Sequence, residues 1–490
     1  MAAIASLGIG SGLDVNSIVT KLVDLEKSPL TSLKAKSAVI TAQVSTYGDI
    51  KSQIASLSDA ALNLGSPTFW KKMTASSSNA AAVAATVTGI SSPQASYSVE
   101  VQQLARAQNT SSQAFTTGAA VGTGSLTIQL GTWSSGFAGF TPGTAPAVTV
   151  NIGVGEDSLS SIATKINDAN VGVTASIVKD SSGERLSIRS KSTGDAAGFR
   201  IQATDTDTIN NDNNGLSRLA FDPQTGSFGM ATTITTAQQA RNANATLNGV
   251  PVTSTSNTFG ELIPGVQLTV GQVTTAPVDL NVSTDTTTIK KAITDFVAAY
   301  NTLNTTLIGA TKYDATTKKG SILQGDAATL GLQKALRSLV GSTTTGAAYS
   351  RLSDIGITLQ RDGSLMVGDV VNGQSLGAGK LDAALQNISG LKDFFVVDNK
   401  NQSTNGFGLK LKNFTIGLLA SDGSLKGKTD SLESMAKRNQ ADQDKVNKHA
   451  SLVQERLVRQ YSALDGKMAS MNALSSYVSQ QVTTWNKNTG

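Results

Sequence analysis

The side chains that ordinarily carry catalysis are almost missing from this chain. It has no cysteine and one histidine, His449. Thiolate nucleophiles, disulfides, thiolate metal sites, and triads or zinc cages built on imidazole therefore have almost nothing to be made from. His449 falls inside a helical repeat among Lys445, Lys448 and Arg456 and reads as a seam residue. Two loops have ligand-like spacing. Gly8-Ile9-Gly10-Ser11-Gly12 has the glycine rhythm of a phosphate cradle, yet the few residues before it cannot hold the strand such a cradle needs. It reads instead as a flexible lead-in to a capped helix. Asn210-Asn211-Asp212-Asn213-Asn214-Gly215 sets oxygens at calcium-loop intervals, but it opens on Asn and puts Phe221 where the bidentate glutamate belongs. A solvated turn is the better reading. No carboxylate pair stands out for glycoside chemistry, and 5% aromatic content is thin for a sugar-stacking cleft. The expectation is a protein that is not an enzyme, with no catalytic, cofactor-binding or metal residues.

The scaffold that would position any site is large but lightly packed. At 490 residues the chain has room for roughly three or four domains. A hydrophobic share of 39% is too low for one large core and too high for wholesale disorder. The net charge of +5 comes from a modest, dispersed excess of Lys and Arg, so no nucleic-acid patch is expected. No apolar run approaches the ~20 residues of a membrane span, so membrane insertion is not expected either. The opening residues lack a basic n-region and a long apolar h-region, which argues against a cleaved signal peptide.

Helical periodicity marks both ends. A short helix is expected from Asp14, whose carboxylate can cap it, with Leu13 and Ile18 as a hydrophobic staple. From Leu33 the pattern runs through Ser37, Ile40, Val44, Tyr47, Ile50, Ile54, Leu57 and Ala61 to Leu64. Its steps of three and four average roughly 3.5, the coiled-coil period. Gly65-Ser66-Pro67 then stops it. The far end mirrors this with Val446, His449, Val453, Leu457, Tyr461, Leu464, Met468, Met471, Leu474, Val478, Val482 and Trp485. Such a stripe can pack on its own globular core, but its length without proline favours a coiled coil, and two marginal terminal helices pair most economically with each other. Asn439, Asp442 and His449 lie on or near the seam, which costs stability but fixes register. The charges along this helix are mixed, as on a solvated face.

Between the ends the period changes to two. Strands are expected at Tyr97-Val101, Leu126-Leu130, Val148-Ile152, Val171-Ile177, Leu186-Ile188, Phe199-Ile201, Val266-Val270 and Val278-Val282. One helix interrupts them, with Leu159, Ile162, Ala163 and Ile166 on one face after a Ser158 cap. Helices return with Ile289, Ile293, Phe296, Val297, Tyr300 and Leu303, then Leu330, Leu332, Leu336, Leu339 and Val340. Asp354-Leu359 and Leu365 read as strands joined by an Asp362-Gly363 turn in which both residues take positive φ. The fold class expected is α+β multidomain with nested, discontinuous domains. These are 1–45 plus 440–490, 46–75 plus 287–439, 76–124 plus 231–286, and an inserted α+β module at 125–230.

Several stretches resemble one family. Leu7, Gly8, Gly10, Gly12, Leu13 and Asp14, followed by Ile18, Leu22, Leu25-Glu26 and Pro29-Leu30, look like the start of the bacterial flagellar filament cap family, the distal hook-associated proteins. Tyr97 to Ala105 resembles that family's first head strand. Gly124–Leu130, Ser158–Asn167 and Leu186–Ile188 resemble the insertion module shared by flagellins and hook-associated proteins. Asp354–Ile357, Asp362–Leu365, Asp422–Leu425 and the tail from Arg456 through Met468, Met471 and Tyr477 fit as well. Asn244-Ala245, where Asp-Ala is common, departs from the pattern in a head loop.

The resemblance implies a coiled-coil leg from both termini, a mixed helical inner leg and two β-rich head domains, the inserted one of flagellin type. Leg packing would rest on Leu33, Ile40, Val44, Tyr47, Ile54, Leu57, Val446, Val453, Leu457, Leu464, Met468, Met471 and Val478. It further implies a ring-shaped homo-oligomer, commonly a pentamer, at the distal filament tip, where flagellin folds and inserts beneath it. Hook–filament junction proteins and an export chaperone on the C-terminal helix are the other implied partners, and the chain would be secreted. Flagellin, a junction protein, or an adhesin using the exposed head are the alternatives.

Overall fold

The computed structural model describes residues 14–89, 92–368, 370–371, 374–375 and 379–487. Nine α-helices occur among them. In chain order they are α1 (Val15–Glu26), α2 (Pro29–Leu64), α3 (Leu159–Asp168), α4 (Thr286–Thr311), α5 (Ala327–Val340), α6 (Gly379–Gln386), α7 (Ile388–Val396), α8 (Phe407–Leu419) and α9 (Ser424–Lys487). The chain divides into two compact units, one of Met1–Trp70 with Thr286–Gly490 and one of Lys71–Asp285. The fold is α+β with several sheets and long terminal helices, as the sequence pattern implies.

In the helical unit, local chemistry sets the helix ends. Asp14 caps α1, its Oδ1 accepting the Ser17 N–H at 3.0 Å; Leu13, the expected staple partner, lies outside the described residues. Pro29 opens α2, where its missing N–H and fixed φ suit a first turn. Gly65 ends α2 because α8 crosses there: a Cβ would stand 3.1 Å from the carbonyl oxygens of both Ala61 and Gly408.

The core of this unit gathers Ile50, Ile54, Leu57 and Leu64 of α2 with side chains from α4 to α8 and the start of α9. Aromatic rings dominate one end of it. Trp70 stacks on Phe395 with centroids 5.2 Å apart, and its indole N–H donates to the Leu64 carbonyl at 2.9 Å. Phe407 packs against Phe296 at 5.4 Å and against Phe394 and Phe395 at 6.0 Å. A separate small cluster joins Val15, Val19 and Val23 of α1 to Ala450 of α9.

Two details differ from the sequence reading. Leu330 is exposed, because the buried face of α5 is Leu332, Leu336 and Val340. The Asp354 hairpin also starts later. Residues Leu352–Ile355 form a 3₁₀ turn in which the Asp354 carboxylate accepts the Ser350 and Arg351 N–H groups, each at 2.9 Å. Gly356 then turns left-handed (φ 78°), and the paired strands are Ile357–Leu359 and Leu365–Val367. Of the Asp362-Gly363 pair only Gly363 takes positive φ, while the Asp362 carboxylate accepts the Ser364 N–H.

The second unit contains strands β1 (Met73–Ser77), β2 (Val83–Val87), β3 (Ala95–Gln103), β4 (Asn109–Ser111) and β5 (Gly124–Trp133). Next come β6 (Phe140–Pro142), β7 (Val148–Ile152), β8 (Val173–Asp180), β9 (Gly183–Ser190) and β10 (Gly198–Asp205). The last are β11 (Ala243–Leu247), which holds Asn244 and Ala245 in a strand and not in the expected loop, β12 (Val250–Ser254), β13 (Thr258–Ile263), β14 (Val266–Val270) and β15 (Val278–Thr284). A five-stranded sheet ordered β1-β15-β3-β11-β12 and a three-stranded sheet β13-β14-β2 enclose a core of Val99, Val101, Phe259, Leu268 and Leu280. A second core, built from β5, β7, β8, β9, β10 and α3, holds Leu126, Ile128, Ile162, Ile188, Phe199 and Phe221.

Ser158 caps α3 through the Ser161 N–H at 3.2 Å. Asn167 at its end closes the outer edge of β8, bonding both the N–H and the C=O of Ala175 at 2.8 Å. The β5–β10 ladder runs antiparallel from Gly131 opposite Gly198 to Gly124 opposite Asp205. Gly124 has φ 143°, and a Cβ there would lie 2.1 Å from the Thr204 carbonyl oxygen. Gly124→Ala is therefore expected to destabilise this unit by about 2 kcal/mol or more, read as a lower urea midpoint; an unchanged midpoint would contradict the close approach. The Asn210–Gly215 loop spends its oxygens internally, Asn210 Oδ1 accepting the Asp205 N–H at 2.7 Å. Phe221 is fully buried against Trp133 and Phe137.

Candidate functional site

Among the described residues, no group of three or more His, Asp or Glu stands together to hold a metal. The helical unit is held by a large apolar core with few polar ties. Its best-made polar feature ties three helices. Asp326 is the cap of α5, its Oδ1 accepting the Thr329 N–H at 3.0 Å. The same oxygen accepts the Tyr47 hydroxyl of α2 at 2.5 Å, and Oδ2 receives Lys428 of α9 at 2.5 Å. The Asp326 side chain is only 11% exposed. Burial raises its pKa, but the donors from Lys428, Tyr47 and Thr329 outweigh that and hold the carboxyl well below the usual range. Burial, reinforced by the neighbouring carboxylate, pushes the Tyr47 hydroxyl up.

The residues expected to pack the leg fall into three groups. Ile40, Tyr47, Ile54 and Leu57 are buried, and Leu33 and Val44 are half-buried. On α9, Val453 is buried, while Val446, Leu457 and Met468 are half-buried. Leu464, Met471 and Val478 are exposed. Tyr47, Ile54 and Leu57 join the core shared with α4 and α8, whereas Val453 lies on the α9 stretch that meets α1. Leu7, Gly8, Gly10, Gly12 and Leu13 lie outside the described residues, and Asp14 is the α1 cap.

The expected polar seam is narrower than the spacing suggests. Asn439 is buried, with Oδ1 accepting the Gln443 amide at 2.7 Å. Asp442 is exposed and paired with Lys445, and His449 sits on the margin, 64% exposed and 3.4 Å from Glu26. Asn439→Leu alone is therefore expected to raise the thermal midpoint of the helical unit by relieving a buried amide whose Nδ2 has no partner among the described residues. Asp442→Leu and His449→Leu should leave that midpoint unchanged. A lowered midpoint for Asn439→Leu would show that the amide is worth more than a methyl group there.

Sequence reasoning missed Asp326, Lys428, Trp70, Phe394, Phe395 and Phe407. Asp326 alone was signalled locally, by an acidic residue three positions before Thr329 at the head of an apolar repeat.

The whole chain also has close counterparts. Residues 11–108 match the profile of the flagellar hook-associated protein 2 N-terminus, 240–473 that of its C-terminus, and 137–192 the flagellin hook IN motif. Flagellar hook-associated protein 2 of Escherichia coli K12 is 31% identical over 500 residues, spanning 98% of this chain and 98% of that protein. The chain belongs to the flagellar hook-associated protein 2 family. The B-type family member of Pseudomonas aeruginosa is 29% identical across 95% of this chain and 94% of its own length.

A crystal structure of the flagellar cap protein FliD from Escherichia coli, domains D1 to D3, matches with a TM-score of 0.54 at 28% identity. It covers 79% of this chain and 99% of that one. The family is one of structural cap proteins and not of enzymes. Membership makes this chain a hook-associated component of the bacterial flagellum. No helix among the described residues is long and apolar enough to cross a membrane.

Proposed function

We propose that copies of this chain form a ring, of five subunits, that caps the distal end of the flagellar filament. Exported flagellin folds beneath the ring and inserts, instead of escaping. The observation that carries this reading is likeness to the hook-associated protein 2 family along nearly the full length of both chains. Four nested domains at 1–45 plus 440–490, 46–75 plus 287–439, 76–124 plus 231–286, and 125–230 serve as terminal leg, inner leg and two heads. The hook–filament junction proteins receive the ring first, and an export chaperone holds the C-terminal helix until secretion.

Packing supports a leg that grips weakly. The described contact between α1 and α9 rests on Val15, Val19, Val23 and Ala450, with half-buried Leu457, Val458 and Tyr461 packed against them, and each buried valine contributes only ~1.5–3 kcal/mol. Such a contact can open and reform as the cap advances, while the larger inner core keeps its shape. Cells lacking the chain should carry hooks without filaments and release flagellin monomers into the medium, with both defects reversed by resupply. Filaments of normal length in its absence would overturn the reading.

A further inference from the structure

We propose that Asn214 is a site of spontaneous, one-way modification, losing its side-chain amide through a cyclic imide shared with Gly215, and that the isoaspartate formed loosens the second unit. Asparagine before glycine suits this chemistry because no Cβ hinders the following nitrogen. That nitrogen attacks the carboxamide carbon of the asparagine. A nitrogen–carbon bond forms, the carbon–nitrogen bond of the carboxamide breaks, and the proton of the attacking nitrogen leaves with the ammonia. Water then opens the five-membered imide at either carbonyl. One product is aspartate; the other is isoaspartate, with the main chain rerouted through the side chain. Water is the sole co-reactant.

The sequence has four Asn-Gly steps, beginning at 214, 248, 372 and 405; the one at 372 lies outside the described residues. The fold separates the other three. Asn405 is 8% exposed, and its Oδ1 accepts the Asn399 N–H at 2.7 Å. The Gly406 nitrogen that would attack it is itself occupied, donating to the Val397 carbonyl at 2.7 Å. Asn248 is left-handed (φ 50°) and held twice by β3. Its Oδ1 accepts the Ser98 N–H and its own N–H donates to the Ser98 carbonyl, both at 2.8 Å. Breaking even one such anchor before attack slows a site by about tenfold.

Asn214 differs on each count. It is exposed and extended (φ −116°, ψ 167°). Its carboxamide bonds within its own loop, Nδ2 donating to Asp212 Oδ2 at 2.8 Å. That contact holds the nitrogen that departs and leaves the carbon open to attack.

The backbone just beyond has no room for an extra atom. Gly215 has φ 47°, and a Cβ there would stand 2.2 Å from Asp205 Oδ2. From another side, a Cβ at Gly122 would stand 2.9 Å from the Gly215 Cα. Isoaspartate at 214 adds a methylene to the main chain at the entry to this tight passage. The 3₁₀ turn that follows, Gly215–Leu219, carries Leu216 and Leu219 fully buried in the core around Phe199 and Phe221. Asp205 Oδ2 also accepts the Ser217 N–H of that turn at 3.1 Å. A displaced start therefore pulls on both the core and this hydrogen bond.

The test ages the full-length folded chain in warm, mildly alkaline buffer and follows the three steps by peptide mass mapping. Asn214 should convert at least about tenfold faster than Asn248 or Asn405, and unfolding in urea should bring the three rates together. The second unit of the aged chain should melt at a lower temperature. Freshly prepared Asn214→Asp supplies the charge without the methylene and should melt like the unaged chain. Asn214→Gln cannot form the five-membered ring and should age without the drop. Conversion at Asn248 or Asn405 as fast as at Asn214, or an Asn214 that stays an amide, overturns the site. An isoaspartate-bearing chain whose second unit melts unchanged overturns the loosening.

Discussion

Replacing Asp326 by alanine should destabilise the helical unit by about 2–3 kcal/mol, for the lost helix cap and the charge-assisted hydrogen bonds of a half-buried carboxylate. The carboxylate caps α5 and accepts from Tyr47 of α2 and Lys428 of α9, so its loss strands three donors at once. Asp326→Asn separates the parts. Asparagine caps a helix as well as aspartate does, so that variant should lose only the charge attraction to Lys428, about half the effect. Urea unfolding followed by far-ultraviolet circular dichroism checks both; equal losses in the two variants would show that the ion pair and not the cap carries the site.

The same carboxylate sets a pH dependence. Its folded pKa is depressed below the unfolded value, so its contribution is fully present above about pH 4 and is lost as pH falls from there toward the folded pKa. Acid should therefore lower the urea midpoint of the wild-type chain more than that of Asp326→Asn.

Phe407→Ala should cost about 3–5 kcal/mol, the usual range for deleting a buried ring. Phe407 is 1% exposed and touches Phe296, Phe394 and Phe395. These neighbours come from α4 and α7, and each is itself packed, so the space cannot collapse. The near-ultraviolet dichroism of the aromatic cluster should fade at temperatures where the wild-type signal is intact. A loss below about 1 kcal/mol, well under the range for a buried ring, would mean that the rings rearrange to fill the space.

Periodicity made the long elements legible. The spacing from Leu33 to Leu64 found α2, and that from Ile289 to Leu303 found α4, because one apolar face repeats for several turns. Alternation found β3, β5, β7, β14 and β15, whose inward positions are valine, isoleucine or leucine. It could not find β1, where Met73-Thr-Ala-Ser-Ser77 carries no clear apolar face; that strand exists because β15 offers it a ladder from Thr284 to Leu280. The leg was legible only as stripes. Nothing local joins Tyr47 to Asp326, which are 279 positions apart, or predicts that Leu464 and Met471 continue the α9 stripe while remaining exposed.

The unbroken course of α9 has a mechanical consequence. Its sixty-four residues make a rod of about 96 Å at 1.5 Å per residue. One end is rooted among Leu425 and Leu432 in the large core, and in the far third Met471, Leu474, Val478 and Val482 are exposed. The α1 contact around Ala450 to Tyr461 braces the shaft at mid-length, so the span free to bend is the stretch of about 39 Å from Tyr461 to Lys487. A sideways push on that exposed span is therefore taken up first at the α1 brace, and the α5 cap beside Lys428 stays shielded from it.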